Sequence, residues 1–183
     1  MGQGNRCHYA TLRDHGPLIG MTGTIDEASR PHIRIEQGSA AAWDAASIWA
    51  RATAQRDQLP VAPSSEGKLP GIQSALAHDG AQLLIVRSNE QALAFSITIP
   101  RGDVLEVLYL AVDPDAWGSG IARHLLEHLQ QQSKEARTPM ELWVIAGNSR
   151  AIAAYESAGW IPTSDMKVRN SAGRVERRYT LSH

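Results

Sequence analysis

Cysteine is nearly missing from this sequence: Cys7 is the only one among 183 residues. A lone thiol closes no internal disulfide and builds no thiolate zinc cluster, so nothing calls for an oxidising compartment. The fold has to rest on an apolar core, and a chain near the common domain size of roughly 150 residues can bury one unaided. Charge of one sign is also lacking, with 18 Lys and Arg against 19 Asp and Glu, which gives no overall pull on nucleic acid. Aromatics are few, 5 Trp, 4 Tyr and 1 Phe, too few for a base-stacking surface. No run approaches the ~20 apolar residues of a membrane span, and residues 1–23 lack the continuous apolar stretch of a secretory leader. The chain reads as a cytoplasmic protein that engages neither nucleic acid nor membrane.

Two units are expected. Residues 1–29 hold no period of 2 or 3.6 and read as a weakly structured extension, while residues 30–183 form the domain. Within it, Ile33 and Ile35 alternate with Arg34 as in a strand. From Ser39, a candidate N-cap, to about Arg56 the apolar positions Ala42, Ala45, Ala46, Trp49 and Thr53 recur at helical spacing. Residues 57–70 collect three prolines and a glycine and are expected to cross as an irregular loop, with a short helix over Gln73–Ala77. Gln82–Val86 and Ala92–Ile99, separated by a polar turn, suggest an antiparallel hairpin. Val104–Val112 is apolar on both faces, the mark of a covered central strand. Ile121–Glu135 then reads as a helix, Met140–Ile145 as a strand, Ser149–Ser157 as a short helix, and Ser164–Arg169 with Val175–Leu181 as a final hairpin around a turn at 170–173.

Chemistry concentrates between Glu106 and Arg123, where a buried strand runs through a turn containing Gly118 and Gly120 into a helix. Glycines let backbone approach a ligand closely, and the amides of a first helical turn point at it with the favourable end of the dipole, so a diphosphate suits this place. Two familiar diphosphate sites are excluded. The only Gly-Lys pair, Gly67 and Lys68, precedes Leu69 rather than Ser or Thr, and Arg123 stands where a dinucleotide fingerprint needs its third glycine.

What remains resembles the GCN5-related N-acetyltransferase (GNAT) family. Val112, Asp113 and Pro114, then Trp117, Gly118, Ser119, Gly120, Ile121 and Ala122, stand where that family carries its acetyl-CoA motif. The usual Arg or Gln before the first glycine is Trp117 here. A second family motif follows at a fitting distance over Val144–Trp160, with Asn148, a helix, Tyr155 and a closing Gly159-Trp160. The resemblance implies an α/β (α+β) fold: a mixed, mostly antiparallel central sheet with helices on both faces and a splayed pair of central strands. It implies acetyl-CoA as co-substrate, its pyrophosphate on the amides of Gly118, Ser119, Gly120, Ile121, Ala122 and Arg123, and its pantetheine along Leu110, Ala111 and Val112.

Further roles follow from the resemblance. The Val112 amide becomes an oxyanion donor, Asn148 a pantetheine neighbour or simply an N-cap, and Tyr155 either the proton donor to the leaving thiolate or an ordinary buried tyrosine. Glu106 stands where some members hold a general base, although a carboxylate there also suits solvation or substrate binding, and water could take the proton instead. Metal is not expected: His124 and His128 lie four apart on one helix but no third ligand is evident. The implied activity is direct acetyl transfer to a primary amine of a small molecule or peptide in a ternary complex. A catalytically silent acyl-CoA-binding regulatory module is the alternative. Residues 57–70 and the final hairpin are the expected walls of the acceptor site, and the family's habit of pairing leaves a homodimer open.

Overall fold

Strand β4 (Val104–Val112) organises the molecule, because it is where two halves of one sheet join and then part. The computed structural model describes residues 32–36, 38–169 and 173–182. The N-terminal extension, Cys7 within it, and residues 170–172 of the final turn lie outside the described residues. In chain order the elements are β1 (His32–Ile35), α1 (Ser39–Asp57), α2 (Ser65–Leu76), β2 (Gln82–Ser88), β3 (Gln91–Arg101), β4, a 3-10 turn (Pro114–Ala116), α3 (Ile121–Ala136), β5 (Met140–Ile145), α4 (Ser149–Ser157), β6 (Ile161–Arg169) and β7 (Arg174–Leu181). The sheet runs β1-β2-β3-β4-β5-β7-β6. Every neighbouring pair is antiparallel except β4 and β5, which are parallel. The GNAT-type mixed sheet expected from the resemblance is the one observed.

Both faces of the sheet are covered, which is why β2 buries four consecutive residues rather than alternating. Leu83 and Ile85, with Phe95, Ile97 and Ile99 of β3, pack against α1 and Ile72 of α2. Leu84 and Val86, with Met140 and Leu142 of β5, pack against Leu125, Leu126 and Leu129 of α3. The buried face of α1 is mostly alanine, Ala41, Ala42, Ala45 and Ala46, small enough for the helix to lie close to the strands. The β2–β3 hairpin turns through Asn89 and Glu90, both at positive φ (47° and 64°), as a two-residue turn of the type that follows strand twist requires.

Three local expectations are corrected. Helix α1 takes Gly38, at φ 95°, as its N-cap, and Ser39 is already helical. The segment 57–70 is not all loop: α2 starts at Ser65, and the Ser64 hydroxyl accepts from the Gly67 amide at 3.1 Å. Pro70 sits inside this helix. It removes one intrahelical bond, but burial of Ile72 and Ala75 against α1 outweighs that loss. Strand β6 begins at Ile161, before the expected Ser164.

The feature that matters for chemistry is in the register of β4. Ile97 pairs with Tyr109 and Thr98 with Val107, so Leu108 is an extra residue, a bulge that bends the strand. The ladder to β5 covers only Leu105–Val107 against Met140–Leu142. Beyond that point the strands diverge and a cleft opens between them.

Candidate functional site

The cleft has two contiguous halves of about 520 and 530 Å³, and Leu110, Asn148, Ala151 and Tyr155 line both. The first half is walled by Val112, Trp117, Ala122, Arg150 and the start of α4. The second is walled by Lys68, Tyr109, Trp143, Asp57, Arg174 and Glu176. Tyr155 therefore sits at the junction.

Backbone phase follows from the β3–β4 ladder. The Asp113 amide donates to the Leu93 carbonyl at 2.7 Å, which makes Asp113 a hydrogen-bonded position. In an antiparallel pair such positions alternate with ones whose N–H and C=O point the other way. Leu110 and Val112, opposite Ser96 and Ala94, are of the latter kind and present their amides to the side where β5 has departed. The Val112 carbonyl on that side accepts from the Trp117 indole N–H at 2.9 Å. Trp117 thus rivets the turn to the strand end, and its ring carries the Arg150 guanidinium 4.3 Å from its centroid.

Between Trp117 and Ala122, Gly118 (φ 82°) and Gly120 (φ 86°) make an exposed turn, and a Cβ added at either glycine meets nothing within 4 Å. Helix α3 has Gly120 as N-cap with no side-chain cap, and its first intrahelical-type bond is from the His124 amide to the Gly120 carbonyl at 3.0 Å. The amides of Ile121, Ala122 and Arg123 are left to an external acceptor. Ser119 folds inward, its hydroxyl donating to the Ala116 carbonyl at 2.6 Å, Ile121 is buried in the core, and Arg123 pairs with Glu127 at 3.5 Å. An ion pair from Arg51 of α1 to the buried Asp113 locks this turn against the rest of the fold. Asp113 also accepts from the Asp115 amide at 3.1 Å.

Tyr155 is the one buried residue of α4, tilted against Trp160 with centroids 6.1 Å apart. Burial pushes its pKa up to about 12. Among the described residues its hydroxyl has no hydrogen-bond partner, so the phenol is not tied to backbone. Asn148 caps α4, accepting from the Ala151 amide at 3.3 Å, and also lines both halves of the cleft. Glu106 is buried and accepts from Arg101 at 3.0 Å. It lies where β4 and β5 are still paired and lines neither half of the cleft.

Sequence reasoning missed Trp49, Lys68, Tyr109, Trp143, Arg150, Arg174 and Glu176, although the expected walls, residues 57–70 and the final hairpin, supply Asp57, Lys68, Arg174 and Glu176. Trp49 and Tyr109 pack tilted at 37° with centroids 4.6 Å apart, and Gly71 of α2 makes room: a Cβ there falls 2.9 Å from the Trp49 ring. Gly→Ala in a helix ordinarily gains about 1 kcal/mol. Gly71→Ala is instead expected to destabilise by about 1–3 kcal/mol through overpacking, read by urea unfolding, and a net gain would mean the indole is not wedged.

Residues 43–160, from α1 to the end of α4 and more than half of the chain, match the family model described as the acetyltransferase (GNAT) family. The ribosomal protein bS18-alanine N-acetyltransferase of Salmonella typhimurium is 40% identical over 79 residues, covering 42% of this chain and 53% of that protein. The match thus spans about half the length of such curated relatives. Among solved structures, the ribosomal-protein-S18-alanine N-acetyltransferase from Escherichia coli superposes with a TM-score of 0.63 at 24% identity, over 83% of this chain and 93% of that one. PaiA N-acetyltransferase from Thermoplasma acidophilum, in complex with coenzyme A, gives 0.59 at 14% identity over 80% and 98%. Likeness at these identities is one of fold, and the family match over the strand, glycine turn and helices that build the cleft carries the assignment: the chain belongs to the GNAT family of acetyltransferases.

Proposed function

We propose that the domain formed by residues 30–183 transfers an acetyl group from acetyl-CoA to a primary amine of a small molecule or peptide, in the cytoplasm and without a covalent enzyme intermediate. The observation that carries this reading is the joined cleft, with an uncapped helix N-terminus at one half, a second chamber at the other, and Tyr155 lining both. Acetyl-CoA supplies the acyl group as a thioester. The Ser119 amide donates to the Ala116 carbonyl at 3.4 Å, so the amides of Gly118, Gly120, Ile121, Ala122 and Arg123 hold the diphosphate, Arg150 on Trp117 adds a positive charge nearby, and Leu110 and Val112 bind the pantetheine arm through backbone. The Val112 amide, free of any strand on its cleft side, faces the thioester oxygen as charge develops there.

In this reading the amine attacks the carbonyl carbon, the C–S bond breaks, and Tyr155 gives its proton to the departing sulfur. Glu106, bound to Arg101 away from the lining, acts through the strand it supports. Removal of the amine proton then falls to water or to Glu176 in the second chamber. The relatives named as acting on an alanine of a ribosomal protein favour an α-amine on a peptide as one acceptor type. No particular observation favours the silent-module alternative.

Ligand binding to the native state alone stabilises it, by about 2.7 kcal/mol at a hundredfold excess over Kd, or roughly 5–10 °C for a chain of this size. Acetyl-CoA at millimolar concentration is expected to raise Tm by that order in a thermal melt. No shift would remove both acetyl transfer and acyl-CoA sensing.

A further inference from the structure

Charge in the second chamber is unevenly placed. Asp57, Lys68 and Arg174 line that chamber and not the first, whereas Arg56 reaches both. Asp57 is already bonded twice over, by Arg56 at 2.8 and 2.9 Å and by Arg174 at 2.9 and 3.4 Å. These bonds, Arg56 first, hold its carboxyl well below the usual range. Lys68 faces the same group. Burial, and then the Arg56 charge, lower its pKa, and among the described residues no carboxylate forms an ion pair with it. Its ammonium lies instead 4.6 Å from the Trp49 ring centroid.

Three cations thus gather on one carboxylate at a partly desolvated mouth. Glu176 does not offset the surplus, because Lys167 stands 3.9 Å from it. A low-dielectric cleft with excess positive charge concentrates anions and repels cations. The Lys68 and Arg174 charges belong to the acceptor chamber alone, since neither lines the other half, whose own positive charge comes from Arg56 and Arg150.

Resting on the acetyl-transfer reading, we propose that the acceptor is an amine carrying a carboxylate, received by Lys68 and Arg174 while Trp49 and Tyr109 face its apolar part. The carboxylate belongs either to a free amino acid or to an acidic side chain next to a peptide's N-terminal amine. Polyamines, which bring further ammonium groups to the three cations, are disfavoured.

The test is acetylation of matched pairs: glycine against glycinamide, L-alanine against L-alaninamide, and alanylglutamate against alanylglutamine, both amidated at the C-terminus, with spermidine as cationic reference. Rates are expressed as kcat/KM for the unprotonated amine. At least one acid is expected to exceed its amide by tenfold or more. Preference among free amino acids assigns the α-carboxylate, and preference in the peptide pair assigns the side chain. Lys68→Met and Lys68→Gln are expected to cut the preference about tenfold at unchanged KM for acetyl-CoA, and Lys68→Arg to keep it. Equal rates, a preference for amides or spermidine, a preference that survives loss of the Lys68 charge, or acetyl-CoA binding with no turnover of any acceptor each overturn the inference. If acetyl-CoA itself does not bind, the reading beneath falls with it.

Discussion

Tyr155→Phe is expected to leave acetyl-CoA binding intact and to lower the rate of acetyl transfer about a hundredfold, the lower range for losing a positioned general acid. On the proposed reaction the thiolate leaving coenzyme A needs a proton, and Tyr155 lines both halves of the cleft. Its hydroxyl has no partner among the described residues, so removing it strands no other polar group, and the variant should unfold within about 1 kcal/mol of wild type. That separates a chemical defect from a folding one. Burial also fixes the pH behaviour. With a pKa pushed up to about 12, the phenol keeps its proton through the working range, so the rate should rise with pH as the acceptor amine deprotonates and then stay level to about pH 10. Its raised pKa contributes stability that is whole below about pH 10, the unfolded value, and is lost as pH climbs through 12. An unchanged rate in Tyr155→Phe would take Tyr155 out of the mechanism, and a wild-type rate that falls between pH 8 and 10 while the fold holds would mean that the proton donor titrates well below 12.

The first half of the cleft was largely legible in the sequence because two short stretches, one around the glycine turn and one at the start of α4, supply most of its lining, while the share from α1, Trp49 and Arg56 among it, was not. A strand, a glycine turn and a helix start are local devices, and Gly118, Gly120, Asn148 and Tyr155 fall where two motifs put them. The strand divergence was expected only through resemblance, since the bulge at Leu108 leaves no mark in a run that is apolar on both faces. The second half was legible only as walls. Trp49, Lys68, Trp143 and Arg174 come from α1, α2, β5 and β7, and no spacing within one element brings them together. Lys68 was further obscured by the prolines of its segment, which suggest a loop where burial of Ile72 and Ala75 sustains a helix. Trp117, which departs from the family's usual Arg or Gln, proves to hold Val112 and to carry Arg150, a pairing across 33 residues that pattern alone does not reveal.

Gly120→Asp is expected to abolish the acetyl-CoA thermal shift while leaving the unliganded protein nearly as stable as wild type. Gly120 is the N-cap of α3 at φ 86°, with open space where a side chain would start. Aspartate tolerates the left-handed region at about 1 kcal/mol. As a capping residue it also accepts from the first-turn amides and complements the helix dipole, a gain of similar size, so the two effects nearly cancel. The same carboxylate then occupies the amides that a diphosphate needs and adds a like charge. At ~5 Å and an effective dielectric of 20 the repulsion is about 3 kcal/mol, a loss of affinity of more than a hundredfold. Gly120→Asn matches the shape, the capping and the backbone tolerance without the charge, and should lose at least tenfold less affinity than aspartate. Calorimetric titration with acetyl-CoA reads both. An aspartate variant that binds as wild type does would mean that the diphosphate rests somewhere other than the start of α3, and an asparagine variant as weak as aspartate would mean that bulk at Gly120, rather than anion recognition by the helix end, governs the site.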